Sequence, residues 1–105
     1  MKKSSALPKP VSEYDLRLLR VFRVVVECGG FSAAEQALNI SRSTISVHIS
    51  NLEKRMNVRL ARRGRGGFAL TEKGKTIYEG ALKLFESLNE FAWMVDGLDT
   101  NSPEQ

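Results

Sequence analysis

The chain has 105 residues, 42% of them hydrophobic and 27% charged, with a formal charge of +4 at pH 7; this is the profile of one ordinary globular domain. No apolar run approaches the ~20 residues of a membrane span, and the basic start "MKKSSALPKP" has no apolar stretch behind it, so it does not read as a secretory signal. The single cysteine, Cys28, excludes an internal disulfide, fits a reducing cytoplasm, and reads as a structural thiol rather than a nucleophile.

In chain order, residues 1–12 read as a flexible arm of Lys, Ser and Pro. From Asp15 to Cys28, Leu18, Leu19, Phe22, Val25 and Val26 recur at helical spacing, and Gly29–Gly30 ends the run. Three successive valines are poor helix formers, so burial must hold this first helix. The second opens at Ser32-Ala-Ala-Glu35, which has the spacing of a capping box. Asn39 suits the left-handed joint that follows, and Ser41 caps the third helix. Within it Ile45, Ile49, Leu52 and Met56 step by 4, 3 and 4, one buried stripe. The opposite face carries Arg42, Ser43, Ser46, Val47, Ser50 and Lys54. These are mostly mediocre helix formers, a choice that suits contact with something other than water.

Two short apolar segments, Val58–Ala61 and Phe68–Leu70, flank "RRGRGG" and predict a β-hairpin with arginines near its tip. Thr71 caps a last helix running from Glu72 to about Val95. There Ile77, Ala81, Leu84, Leu88, Phe91 and Val95 form a heptad seam, with Tyr78, Leu82, Phe85 and Ala92 as a second stripe beside it. One stripe is expected to pack on the domain, and the other then needs a partner. Charge is concentrated in the middle of the chain. From Lys54 to Lys75 there are eight basic residues against one acid, and from Thr76 onward six acids against one base. Positive charge beside an unusual polar helix favours a polyanion.

The predicted fold class is therefore mainly α, a winged helix-turn-helix with three helices, a two-stranded β-hairpin wing and a long C-terminal linker helix. Such a fold suits duplex DNA. A helix fits the major groove, where base edges differ in donor and acceptor pattern. Short side chains let its backbone approach. The helix starts at Ser32 and Ser41 are expected to offer free amides to phosphates, and a basic hairpin can follow the backbone or enter the minor groove.

The residues "LRVFRVVVECGGFSAAEQALNIS", "STISVHISNLEKRMNVRLARR" and "LTEKG" resemble the N-terminal DNA-binding domain, with linker helix, of LysR-type transcriptional regulators. The likeness runs from Leu16 to about Phe85. Leu52-Glu53, Val58-Arg59-Leu60, Leu70-Thr71 and Gly74 make it more specific than a generic helix-turn-helix. It implies sequence-specific binding of double-stranded DNA by residues 13–71, homodimerisation through a linker helix over 72–98, and a disordered tail over 99–105. The family's usual Gln-Pro after the cap serine is Arg42-Ser43 here, the basic residue that often follows Ser46 is Val47, and the usual Phe is Ala61. The family also continues into a larger effector-binding domain, which lies outside this chain. Any small-molecule effector would bind there, and an excised domain is favoured over a naturally short regulator.

Base contacts are expected from Arg42, Ser43, Ser46 and Val47, with Arg42 reading a guanine and Val47 packing on a thymine methyl. Backbone contacts are expected from Ser32, Ser41, Thr44, His48, Ser50, Lys54 and Arg63, and wing contacts from Arg62 and Arg65. Thr44 and Ser50 read equally well as plain surface positions, and Arg63 as a brace to Glu53. No catalytic residue, metal site or cofactor is expected: the one histidine, His48, has no second His, cysteine pair or acid cluster at ligand spacing. A cytoplasmic, nucleoid-associated location follows. The alternative function is a winged-helix protein–protein interaction module without specific DNA readout, its arginines merely solubilising.

Overall fold

The structure, a computed structural model, describes residues 11–64 and 67–100, with side chains described for all of these except 63, 64, 67, 99 and 100. The chain divides after Asn57 into two compact units. The elements in order are α1 (Glu13–Cys28), α2 (Phe31–Leu38), α3 (Arg42–Met56), β1 (Ala61–Gly64), β2 (Gly67–Leu70) and α4 (Glu72–Thr100).

The first unit is three helices that all pack on one another. Leu18, Leu19, Val21, Phe22 and Val25 from α1, Phe31 and Ala34 from α2, and Ile45, Ile49 and Leu52 from α3 are buried. Full burial of such a side chain favours the fold by roughly 1.5–3 kcal/mol, which outweighs the poor helix propensity of Val24, Val25 and Val26. Met56, the expected end of the α3 stripe, is only half-buried.

α1 begins two residues earlier than its apolar spacing predicts. Ser12 is its N-cap, in a reciprocal capping box with Asp15: the Asp15 amide donates to Ser12 Oγ at 3.1 Å, and the Ser12 amide donates to the Asp15 carboxylate at 2.9 Å. Ser12 therefore belongs to the helix rather than to an arm. Residues 1–10 of that arm lie outside the described residues. Gly29, at φ 89°, closes α1 in the left-handed conformation, as the Gly-Gly pair implies.

The capping box expected at Ser32–Glu35 does not form. α2 starts at Phe31 with Gly30 as N-cap and no side-chain cap. Phe31 is buried, and placing its ring in the core draws the N-cap two residues upstream, from Ser32 to Gly30. Ser32 then sits inside the first turn, past the position from which a hydroxyl can cap. Asn39 (φ 57°, ψ 40°) ends α2 in the left-handed region, and Asn57 ends α3 in the same way.

In the second unit, β1 and β2 pair antiparallel with Ala61 opposite Leu70 and Arg63 opposite Phe68. The first strand is thus Ala61–Gly64 rather than Val58–Ala61. The Thr71 amide donates to the Leu60 carbonyl at 3.0 Å. This bond fixes the base of the hairpin, so pairing runs outward from Leu60 and carries Arg62 and Arg63 onto the strand instead of into the turn. Thr71 caps α4 as expected, its hydroxyl accepting from the Gly74 amide at 2.8 Å. A Cβ at Gly74 would lie 2.0 Å from the Leu60 carbonyl oxygen, so only glycine lets the helix approach the strand this closely.

α4 runs to Thr100, beyond the expected end near Val95 and the expected boundary at residue 98. Gly97 is tolerated within the helix. Leu60, Ala61, Ala81 and Phe85 are buried, whereas Leu88, Phe91, Trp93, Met94, Val95 and Leu98 are exposed. The division on α4 therefore runs along its length, not between two stripes. Each stripe contributes one buried residue, Ala81 and Phe85, and neither contributes any beyond Phe85.

Candidate nucleic-acid interface

The α2–α3 joint sets the pose of α3. The Asn39 amide closes on the Glu35 carbonyl at 2.7 Å, two residues follow, and α3 begins behind Ser41. Ser41 Oγ accepts from the Thr44 amide at 3.2 Å and donates to Thr44 Oγ1 at 2.9 Å, and it also lies 3.1 Å from Ser43 Oγ. With Ile45, Ile49 and Leu52 buried beneath, Arg42, Ser43, Thr44, Val47 and Lys54 are exposed, and Ser46, His48 and Ser50 are half-buried. All four expected base-reading positions thus share the unburied side of α3. Val47 is 56% exposed, an apolar cost in water that contact with a thymine methyl would remove. His48 Nδ1 is buried with no hydrogen-bond partner among the described residues.

The expectation of free amides at the start of α3 is met only in part. The Arg42 amide donates to the Glu35 carboxylate at 2.6 Å and the Thr44 amide is taken by Ser41. Glu35, assigned by its spacing to the start of its own helix, instead reaches forward across the joint. Its own helix start lacks the Ser cap that the pairing needs, which leaves its carboxylate available. Ser32 is exposed on the first turn of α2.

A second feature was not anticipated. Asp15 is buried at 7% exposure, and the Arg55 guanidinium engages both its carboxylate oxygens and lies 3.4 Å from Ser12 Oγ. Arg55 also sits 5.1 Å from the centroid of the Tyr14 ring, and Asn51 donates to the Tyr14 hydroxyl at 2.9 Å. The Arg55 hydrogen bond, reinforced by the Ser12 amide, holds the Asp15 carboxyl well below its ordinary value of 3.8. In turn Asp15 raises the pKa of Arg55. This cluster ties the start of α1 to the last turns of α3 and so fixes the tilt of the exposed face. It also removes Arg55 from the basic reserve counted between Lys54 and Lys75, as Glu72 does in part for Lys75 at 3.6 Å. The signal for Asp15 was present in the sequence: Ser12-x-x-Asp15 has capping-box spacing directly before an apolar run. Nothing local pairs it with Arg55, forty residues on.

On the hairpin, Arg62 is exposed. Arg65 lies outside the described residues, and so do the side chain of Arg63 and its expected brace to Glu53. On α4, Ala81 of the expected seam is 3% exposed, Ile77 and Leu84 are half-buried, and Leu88, Phe91 and Val95 are exposed. Cys28 is exposed, not packed in a core. Among the described residues no three His, Cys, Asp or Glu side chains group as a metal site, and no helix is long and apolar enough to cross a membrane.

Three helices with a tight left-handed joint, followed by a two-stranded hairpin and a long helix, define the winged helix-turn-helix class. Residues 16–75 match the family described as "Bacterial regulatory helix-turn-helix protein, lysR family", and the chain belongs to that family. It is 51% identical over 88 residues to the HTH-type transcriptional activator BauR of Pseudomonas aeruginosa, covering 84% of this chain and 29% of BauR. It is 36% identical over 75 residues to the HTH-type transcriptional activator AaeR of Escherichia coli, covering 71% of this chain and 24% of AaeR. The chain thus spans less than a third of the length of these curated relatives. Among solved structures it resembles the BenM DNA-binding domain in complex with benA site 1 DNA, with a TM-score of 0.76 and 31% identity over 82% of this chain and 97% of that one. It likewise resembles the CbnR DNA-binding domain–DNA complex, with a TM-score of 0.74 and 27% identity over 80% and 97% of the two chains.

Proposed function

We propose that this chain is the sequence-specific, duplex-DNA-binding part of a LysR-type transcriptional regulator, with α3 lying in the major groove. The observation that carries this reading is the unburied side of α3. It is exposed, built from side chains short enough for a backbone to approach base edges, and headed by an arginine. The BenM and CbnR domains it resembles are described in complex with DNA, and those likenesses support the same partner here.

Arg42 reads a guanine through two parallel hydrogen bonds, Ser43 and Ser46 bond to base edges, and Val47 packs on a thymine methyl. Ser32, Ser41, Thr44, His48, Ser50, Lys54 and Arg63 contact the sugar–phosphate backbone, while Arg62 and Arg65 of the wing grip the backbone or enter the minor groove. A second copy associates through α4, so two-fold related half-sites on one face of the duplex are expected. A small-molecule effector acts only through a domain outside this chain. The protein works in the cytoplasm, at the nucleoid, and catalyses no reaction.

A salt titration tests the reading. Affinity for a duplex should fall with a log–log slope near −0.9 for each phosphate neutralised. Absence of duplex binding at low salt, or binding that ignores salt, would instead favour a protein-interaction module.

A further inference from the structure

Glu35 is the only acid between Glu27 and Glu53, a stretch containing all of α2 and most of α3. Its carboxylate does not cap its own helix. It accepts the Arg42 amide at 2.6 Å, seven residues ahead, and so places a full negative charge at the positive end of the proposed reading helix. The neighbouring Thr44 amide is taken by Ser41. Two of the donors with which a helix start ordinarily seats a phosphate are therefore filled from within the chain, one of them by an anion.

Taking the DNA reading above as given, we propose that Glu35 is a specificity-determining residue that acts by repulsion. A duplex that docks with a phosphate on the start of α3 meets a fixed carboxylate there. A duplex that presents base edges to Arg42 and Ser43 makes its backbone contacts there with the Ser41 and Thr44 hydroxyls, and needs no phosphate on the Arg42 amide that Glu35 occupies. The charge therefore penalises sequence-independent, backbone-seated complexes more than the specific one, which is discrimination built against the wrong partner rather than for the right one. The same hydrogen bond also clasps the α2–α3 joint, so the charge and the clasp must be separated by experiment.

Glu35→Gln keeps an oxygen acceptor for the Arg42 amide and removes the charge, whereas Glu35→Ala removes both. Affinities of the 105-residue chain and both variants are measured on a random-sequence duplex and on a duplex selected by the wild type, across a salt series, with thermal melting alongside. The E35Q variant should bind the random duplex roughly two- to fivefold more tightly, with a steeper salt slope and a smaller gain on the selected duplex, so the specificity ratio falls. An equal gain on both duplexes, or no gain with a lowered melting temperature in E35A alone, would overturn the inference and leave Glu35 a structural clasp. Wild-type protein that binds no duplex would overturn the DNA reading itself, and this inference with it.

Discussion

α3 and the distal part of α4 both keep a face out of the protein interior, but the chemistry of the two faces is opposite. On α3 the open side is Arg42, Ser43, Thr44 and Lys54 with one valine, and its serines are short. On α4 beyond Phe85 it is Leu88, Phe91, Trp93, Met94, Val95 and Leu98, with Trp93 74% exposed. A polar helix face can remain in water without cost, so the oddity of α3 lies in its small side chains, which leave room for another surface to come close. Five of these, Leu88, Phe91, Met94, Val95 and Leu98, share one stripe of the helix, and an apolar stripe of that size is costly in water and marks a surface made to be covered. The contrast teaches that exposure alone does not name a partner. What the exposed atoms can exchange with that partner does, and here it points to polar base edges and phosphates on one side and an apolar surface, such as a second copy, on the other.

The sharpest way to break this contrast is to charge the apolar face. Leu88→Glu should leave a folded domain that sediments as a monomer, and affinity for a duplex carrying two half-sites should drop about 100-fold or more, because the second contact is no longer tethered. An unchanged sedimentation profile would refute the dimer role of α4. Arg42→Ala should flatten the preference at one base pair, removing about 1–3 kcal/mol of discrimination while leaving random-duplex affinity nearly intact. Uniform loss across all sequences would contradict base reading.

Asp15→Asn acts on the frame behind α3. It should cost about 1–3 kcal/mol of stability near neutral pH, through a weakened cap and the lost charge of a buried carboxylate whose arginine partner is exposed. The folded-state carboxyl titrates below its ordinary value of 3.8, so its contribution is present above about that pH and is lost as pH falls further. Melting temperatures of the wild type and the variant should therefore converge on acidification from pH 5 to pH 2; a constant gap would contradict the assigned cause. The smallest effect is expected from Arg65→Ala, a modest and sequence-independent loss of affinity with the salt slope shallower by about 0.9.

Features that are local in the chain were legible before the structure. The apolar spacing of α1 and α3, the left-handed Asn39, and the caps at Ser41 and Thr71 each depend on a few adjacent residues, and each is where the spacing puts it, whereas the α4 stripes are buried only as far as Phe85. The exposed side of α3 was legible for the same reason, as the complement of its buried stripe. Features decided by tertiary contact were not. Ser32 has the right neighbours for a cap but loses the position to the burial of Phe31. Glu35 reaches across the joint because its own helix has no use for it. The hairpin slips outward because its ladder starts at the Leu60–Thr71 bond. The Asp15–Arg55 pair closes a span of forty residues that no periodicity marks.

The central claim is that the open side of α3 reads base edges, and selection of bound duplexes from a random pool at physiological salt tests it most directly. The wild type should enrich two-fold related half-sites, and the same selection with Arg42→Ala should lose its preference at one position in each half. A pool that stays random with the wild type, or an identical selected sequence with and without the Arg42 side chain, would contradict it.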